Sequence, residues 1–299
     1  MTAPTSAPSP SNWKPTLCGH PVPVDRPLVM AIVNRTPDSF YDRGANFTDA
    51  AAMERVDRCV ADGADILDIG GVKAGPGELV DAREEVRRVV PFVETVRDRY
   101  PDAVLSVDTW RGSVARKALA AGADLVNDTW AGHDPEVLVA AGEVGAGFVC
   151  SHTGGAIPRT RPFRVGYRDV VLDVVSELAA ATERAIAAGV PADGILIDPT
   201  HDFGKNTFHG LELLRRLDEI VALGHPVLMA LSNKDFIGET LDAGIDDRAE
   251  GTLAATAVAA MMGARVFRTH DVLATRRAVE MVASISGTRP PARTVRGLA

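Results

Sequence analysis

Short apolar runs alternate along this chain with longer segments whose apolar residues recur every three to four positions. The runs are LVMAIV (28–33), DILDI (65–69), VLSV (104–107), DLVN (124–127), GFVC (147–150), GILI (194–197), PVLMA (226–230) and RVF (265–267). Each is too short for a helix and is bounded by Gly, Asp, Asn or Pro, as strands buried on both faces are. The segments between them carry helical spacing. Met53, Val56 and Val60 share a face in 50–62, Val86, Val89, Val93 and Val96 in 80–100, and Val171, Val174, Val175 and Leu178 in 167–188. Further helices are expected over 113–121, 135–144, 211–221, 251–262 and 273–286. Gly63, Gly122, Gly145 and Gly263 stand between a helix and the next run, where a left-handed residue closes the helix. Eight strand-then-helix units with right-handed crossovers close most simply into a single-domain (β/α)8 TIM barrel of the α/β class. An open doubly wound sheet would need a Gly-rich phosphate loop after its first strand, and NRTPDSFYDRG has none.

The two ends read differently. MTAPTSAPSPSNWKPT lacks a basic region and an apolar core, so it is not a secretory signal. Its Pro, Ser and Thr content predicts a disordered lead-in over 1–27, with the barrel over 28–287 and a loose tail over 288–299. Composition narrows the function classes. Lys plus Arg is 32 against 40 Asp plus Glu, a net charge of −8, which argues against nucleic-acid or membrane partners. The three cysteines form no CxxC pair, which fits a reducing cytoplasmic setting and thiols used for core packing.

In an α/β barrel the chemistry gathers at the C-terminal ends of the strands. The eight ends here lead into Asn34, Asp68, Asp108, Asn127-Asp128, Ser151-His152-Thr153, Asp198, Ser232-Asn233-Lys234 and Arg268-Thr269-His270-Asp271. Helix capping accounts for Asp271 and Asp128. It does not account for Lys234, Arg268 and His270, which fall at the usual phosphate corner of the architecture. Asp108, Asn127 and Asp198 lie opposite and suit a polar heterocycle. Trp110 and Trp130 follow the third and fourth runs, placed either to stack on a ring or to pack a helix.

The stretches MAIVNRTPDSFYDRG, DIGG, SVDT, GADLVNDT, DP…FGK, PVLMALSNK and EGTLAATAVAAMMGARVFRTHDV resemble, in order, the motifs of the dihydropteroate synthases, over about 30–285. The resemblance implies a TIM barrel that condenses 6-hydroxymethyl-7,8-dihydropterin diphosphate with p-aminobenzoate and releases diphosphate. It implies that Asn34, Arg268 and His270 hold the diphosphate and its Mg2+, with Asn34 the metal ligand. It places Asp108, Asn127, Asp198, Phe203 and Lys234 around the pterin, and Ser232 and Lys234 beside the aminobenzoate. Lys234, Arg268 and His270 are the implied catalytic groups. It also implies a homodimer, which the apolar face of 272–285 would suit.

Four departures fall at the mouth. The family pattern Gly-Gly-Glu-Ser-Thr-Arg-Pro-Gly is here GGVKAGPG (70–77), so the arginine is Gly75. Asp-Pro-Gly-x-Gly-Phe has become DPTHDF, with Thr200 and Asp202 in place of glycines. Ser-Arg-Lys-Ser has become Ser232-Asn233-Lys234-Asp235, and Met-His-Met-Arg-Gly has become SHTGG, followed by a basic stretch over 159–164. These changes remove cations from one end of the site and crowd the other. They predict a paralogue with weak, altered or absent synthase activity. A fully active synthase and a non-catalytic pterin-binding regulator are the alternatives. A metal enzyme using Asp198, His201 and Asp202 is a third.

Overall fold

The computed structural model describes residues 16–36, 49–160 and 166–296. Ten strands and ten α-helices are found there. The barrel units run β3 (Leu28–Asn34), α1 (Asp49–Ala61), β4 (Ile66–Gly70), α2 (Ala82–Arg99), β5 (Val104–Asp108), α3 (Gly112–Ala120), β6 (Leu125–Asn127), α4 (Glu136–Val144), β7 (Gly147–Ser151) and α5 (Val170–Ala187). They continue with β8 (Ile195–Asp198), α6 (Thr207–Arg215), α7 (Leu217–Val221), β9 (Leu228–Met229), α8 (Asp235–Leu241), α9 (Ala249–Met261), β10 (Val266–Thr269) and α10 (Val272–Ile285). All eight strands are parallel, in the order β8-β7-β6-β5-β4-β3-β10-β9. A parallel bridge between Ile197 and Val227 joins the two outer strands and closes the barrel. Every apolar run is therefore a barrel strand, as expected. Among the described residues no helix is long and apolar enough to cross a membrane.

Side chains on a strand alternate between its two faces. Here one face meets the helices and the other fills the barrel. Leu28, Met30, Ile66, Val104, Leu125, Val149, Leu196, Leu228 and Val266 form the inner cluster. Two positions further along the strands, the inner row turns polar: Asp68 follows Ile66, Ser106 follows Val104, Asn127 follows Leu125, Asp198 follows Leu196 and Arg268 follows Val266. The same alternation that builds the core thus delivers a polar ring to the mouth.

Three expectations need correction. The lead-in to residue 27 is not disordered from residue 16 onward. β1 (Thr16–Leu17) and β2 (His20–Pro21) pair as an antiparallel hairpin. Cys18 and Gly19 make its two-residue turn with φ of +51° and +78°, the primed turn that suits strand twist. Leu17, only 1% exposed, joins the inner cluster and plugs the barrel floor. The tail also begins bound: the Thr288 hydroxyl donates to Asp25 O at 2.9 Å and Arg289 pairs with Asp25 at 2.6 Å. The single helix expected over 211–221 is two, α6 and α7, broken at Arg216. An Asn206–His209 capping box starts α6 four residues early, and α8 adds a helix. Residues 1–15, 37–48, 161–165 and 297–299 lie outside the described residues.

Candidate functional site

Asp68 organises the mouth. It is fully buried, and its carboxylate accepts from Arg268 Nε at 2.6 Å, Asn127 Nδ2 at 3.1 Å and Ser106 Oγ at 2.6 Å. Arg268 reaches past β3 to do this, and a second guanidinium nitrogen, Nη2, donates to Asp108 at 2.6 Å. A buried guanidinium needs such partners, because an unpaired charge there is costly. Burial pushes the Asp108 carboxyl up, Arg268 pulls it back and Asp68 adds to the rise. Arg268, expected at the diphosphate, and Asp108, expected at the pterin, are thus bonded to one another. Asn127 is fully buried and its Oδ1 has no hydrogen-bond partner. An orphaned buried acceptor at the mouth is a ready receiver for a ligand N–H.

Asp198 ends β8 beside these groups. Its Oδ1 accepts from Thr200 N at 2.7 Å, and burial lifts its carboxyl to about 6. Thr200 has φ of +53°, a strained conformation for a β-branched residue. Its hydroxyl donates to Asp198 O at 3.0 Å, and it accepts from His152 N at 3.3 Å. Those bonds hold a turn that the family builds with glycine. Asp202 has no such left-handed backbone, so only the first of the two lost glycines carries strain. Asn233 (φ +57°) also occupies the left-handed region, which Asn tolerates well.

The remaining expected residues stand on the loops. Lys234 Nζ lies 3.5 Å from Asp202 and 5.2 Å from the Phe203 ring centre. Ser232 Oγ is 3.0 Å from His270 Nδ1. Burial, reinforced by Arg268 and Lys234, lowers the His270 imidazole to about 3, so it is neutral at pH 7. Asn34 ends β3, paired in register with Gly70 of β4. All nine expected residues therefore share the C-terminal face, but the cations among them have carboxylates of their own or are uncharged.

Lys205 had no role in the sequence reading. Its ammonium donates to the carbonyls of His152, Thr200 and Phe203 at 2.8, 3.1 and 3.0 Å. It ties the loops after β7 and β8 together, and burial lowers it to about 7. Its place in the FGK motif was the available signal. Arg159, the described arginine of the basic stretch, donates to Gly75 O and Glu78 O at 3.2 and 2.6 Å, joining the loops after β4 and β7. Trp110 and Trp130 are buried, and Trp130 packs edge-on to Phe203 at 4.6 Å, so both are packing aromatics. Asp271 caps α10 through Ala274 N, as expected. Asp128 instead accepts from Trp130 N and Gly132 N, shaping the turn after β6. Cys150 is buried in the core, and burial raises its thiol to about 12, consistent with packing.

His201 is 3% exposed and neither ring nitrogen has a partner. Burial lowers its imidazole to about 3, with Lys205 and Lys234 adding to the effect. Among the described residues no three His, Cys, Asp or Glu are grouped to hold a metal, so the Asp198–His201–Asp202 metal reading fails. In the unfolded chain His201 takes a proton below about pH 6.5, and in the folded chain only near pH 3. Folded stability is therefore lost as pH falls through that window. His201→Phe, placed beside Phe236, is expected to remove this loss. Its advantage over wild type in urea unfolding should grow by at most about 1.4 kcal/mol per pH unit as pH falls. A gap that stays flat with pH would show that folded His201 protonates freely.

The comparisons with known proteins agree with this geometry. The family described as "Pterin binding enzyme" matches residues 30–270. A Mycobacterium leprae protein called inactive dihydropteroate synthase 2 is 66% identical over 95% of this chain and 99% of its own length. The dihydropteroate synthase of Haemophilus influenzae is 39% identical over 83% of this chain and 90% of its own length. The crystal structure of Yersinia pestis dihydropteroate synthase with a sulfonamide drug superimposes with a TM-score of 0.85 at 35% identity, covering 92% of this chain and 99% of that one. With its (β/α)8 barrel, its polar mouth and these relatives, this chain belongs to the dihydropteroate synthase family of pterin-binding enzymes.

Proposed function

We propose that this chain keeps the pterin half of the family site and has lost most of the synthase half. The carrying observation is that Gly75 stands where the family pattern has an arginine and Lys234 is held by Asp202, while Asn127 Oδ1 stays unbonded. Cations that already have carboxylate partners hold a diphosphate weakly. A buried acceptor facing the mouth favours the N–H edge of a heterocycle. Asp198, ionised at neutral pH and two strands from Asn127 on the same face, would accept from the same guanidine-like edge. The relative named as inactive is closer in sequence than the one named as a synthase, which favours the same reading.

Mg2+ is the family's implied metal. The donors here fit a weak site: Asn34 is the oxygen donor assigned to it, while Asp68 and Asp108 are engaged by Arg268. Mg2+ often binds through one or two protein oxygens plus phosphate oxygens. It would neutralise diphosphate charge when it arrives with the ligand. The partners we assign are a pterin diphosphate and a small aromatic amine, with neither nucleic acid nor membrane. The setting is cytoplasmic. A homodimer would cover the exposed Val258 and Met261 of α9 and Met281 and Ile285 of α10.

Asp198→Asn tests the pterin reading. The carboxamide keeps the shape and turns one acceptor into a donor. Pterin affinity, measured by calorimetry, is expected to fall about ten- to a hundredfold, in line with one charged hydrogen bond. Unchanged affinity would remove Asp198 from the site.

A further inference from the structure

Two of the departures meet at the rim beside Phe203. Asp202 stands where the family pattern has glycine, and Asp235 where it has serine. Asp202 Oδ2 lies 3.5 Å from Lys234 Nζ and accepts from the backbone N–H of Asp235 at 3.4 Å. Lys234 also lies over the Phe203 ring. Asp235 is taken by Arg248 at 2.9 Å. Each carboxylate at the rim thus has one cation, and each cation one carboxylate. The floor beneath is aromatic. Trp130, 3% exposed, packs against Phe203, and its indole N–H is buried without an acceptor.

We infer that Asp202 has changed the ring substituent this subsite accepts, from a carboxylate to an uncharged group such as a carboxamide. The inference rests on the reading that Lys234 borders the aromatic-amine side of the site. An anionic ring must compete with Asp202 for the Lys234 ammonium and sit beside a fixed negative charge. An uncharged ring keeps its contact with Phe203 and meets no repulsion. The aromatic amine this chain binds best is therefore neutral at its far end.

Calorimetric titration of the full chain with p-aminobenzamide and p-aminobenzoate, each with and without saturating pterin diphosphate, tests this. The amide is expected to bind at least about fivefold tighter, the scale of one solvent-screened charge contact at this distance. Asp202→Asn, which keeps the side-chain shape and the acceptor for Asp235 N–H, is expected to erase or reverse that ranking. Three results would overturn the inference: equal or tighter p-aminobenzoate binding in the wild type, the same ranking in Asp202→Asn, or binding of neither compound. Failure of pterin diphosphate to bind, with the amide preference intact, would instead overturn the pterin reading alone.

Discussion

Supplied with 6-hydroxymethyl-7,8-dihydropterin diphosphate, p-aminobenzoate and Mg2+, this chain is expected to form dihydropteroate at under roughly a thousandth of an ordinary enzyme rate of about 10 per second. The leaving diphosphate carries charge away, so groups that stabilise it must be cationic, preorganised and unengaged. Removing one such donor costs about 10²–10³ in rate. Here Gly75 replaces an arginine, Asp202 holds Lys234, and His270 is neutral at pH 7. Lys73 is the cation placed to substitute, its Cε 3.9 Å from where a side chain at 75 would begin. A lysine supplies charge without the planar fork. Gly75→Arg combined with Asp202→Gly is expected to raise product at least about tenfold, read by mass spectrometry. Turnover by the wild type at an ordinary rate would show that Lys73 suffices.

Asp68→Ala is expected to lower stability by roughly 3–5 kcal/mol, the range for breaking a buried ion pair by removing one partner. Three donors depend on this carboxylate: Arg268, Asn127 and Ser106. The truncation leaves the guanidinium half-paired and two buried polar groups unbonded, and none of them gains a new partner from a methyl group. Asp108→Ala should cost clearly less, because Asp108 is partly exposed and bonds only one arginine nitrogen. Urea unfolding of the two variants against wild type reads the difference. A loss below about 1 kcal/mol for Asp68→Ala would mean that Arg268 re-pairs elsewhere.

The barrel was legible because its code is local. A period of two in short runs, a period near 3.6 between them and Gly at the helix ends each depend on neighbouring residues alone. The strand-end residues Asn127, Asp198 and Arg268 were legible for the same reason. Asp68 was harder to value. It sits inside DILDI, where Leu67 and Ile69 face the helices and only the residues on either side of them face inward. Its main partner, Arg268, is 200 positions away in sequence. The capture of Lys234 by Asp202 was equally hidden, since it depends on how the loops after β8 and β9 meet. Lys205 stood in the FGK motif, but its role was not legible because its partners are backbone carbonyls. The hairpin at the barrel floor was missed because two-residue strands have no period to read.

On the proposed function, pterin recognition survives where synthesis does not. Calorimetric titration of the wild-type chain with 6-hydroxymethyl-7,8-dihydropterin diphosphate and Mg2+ tests it most directly. Saturable binding of one pterin per chain, with Kd in the micromolar range or tighter (about −8 kcal/mol or more favourable), is the expected result. No detectable binding by a folded sample would contradict the claim and mean that Asn127 and Asp198 no longer form a pterin pocket.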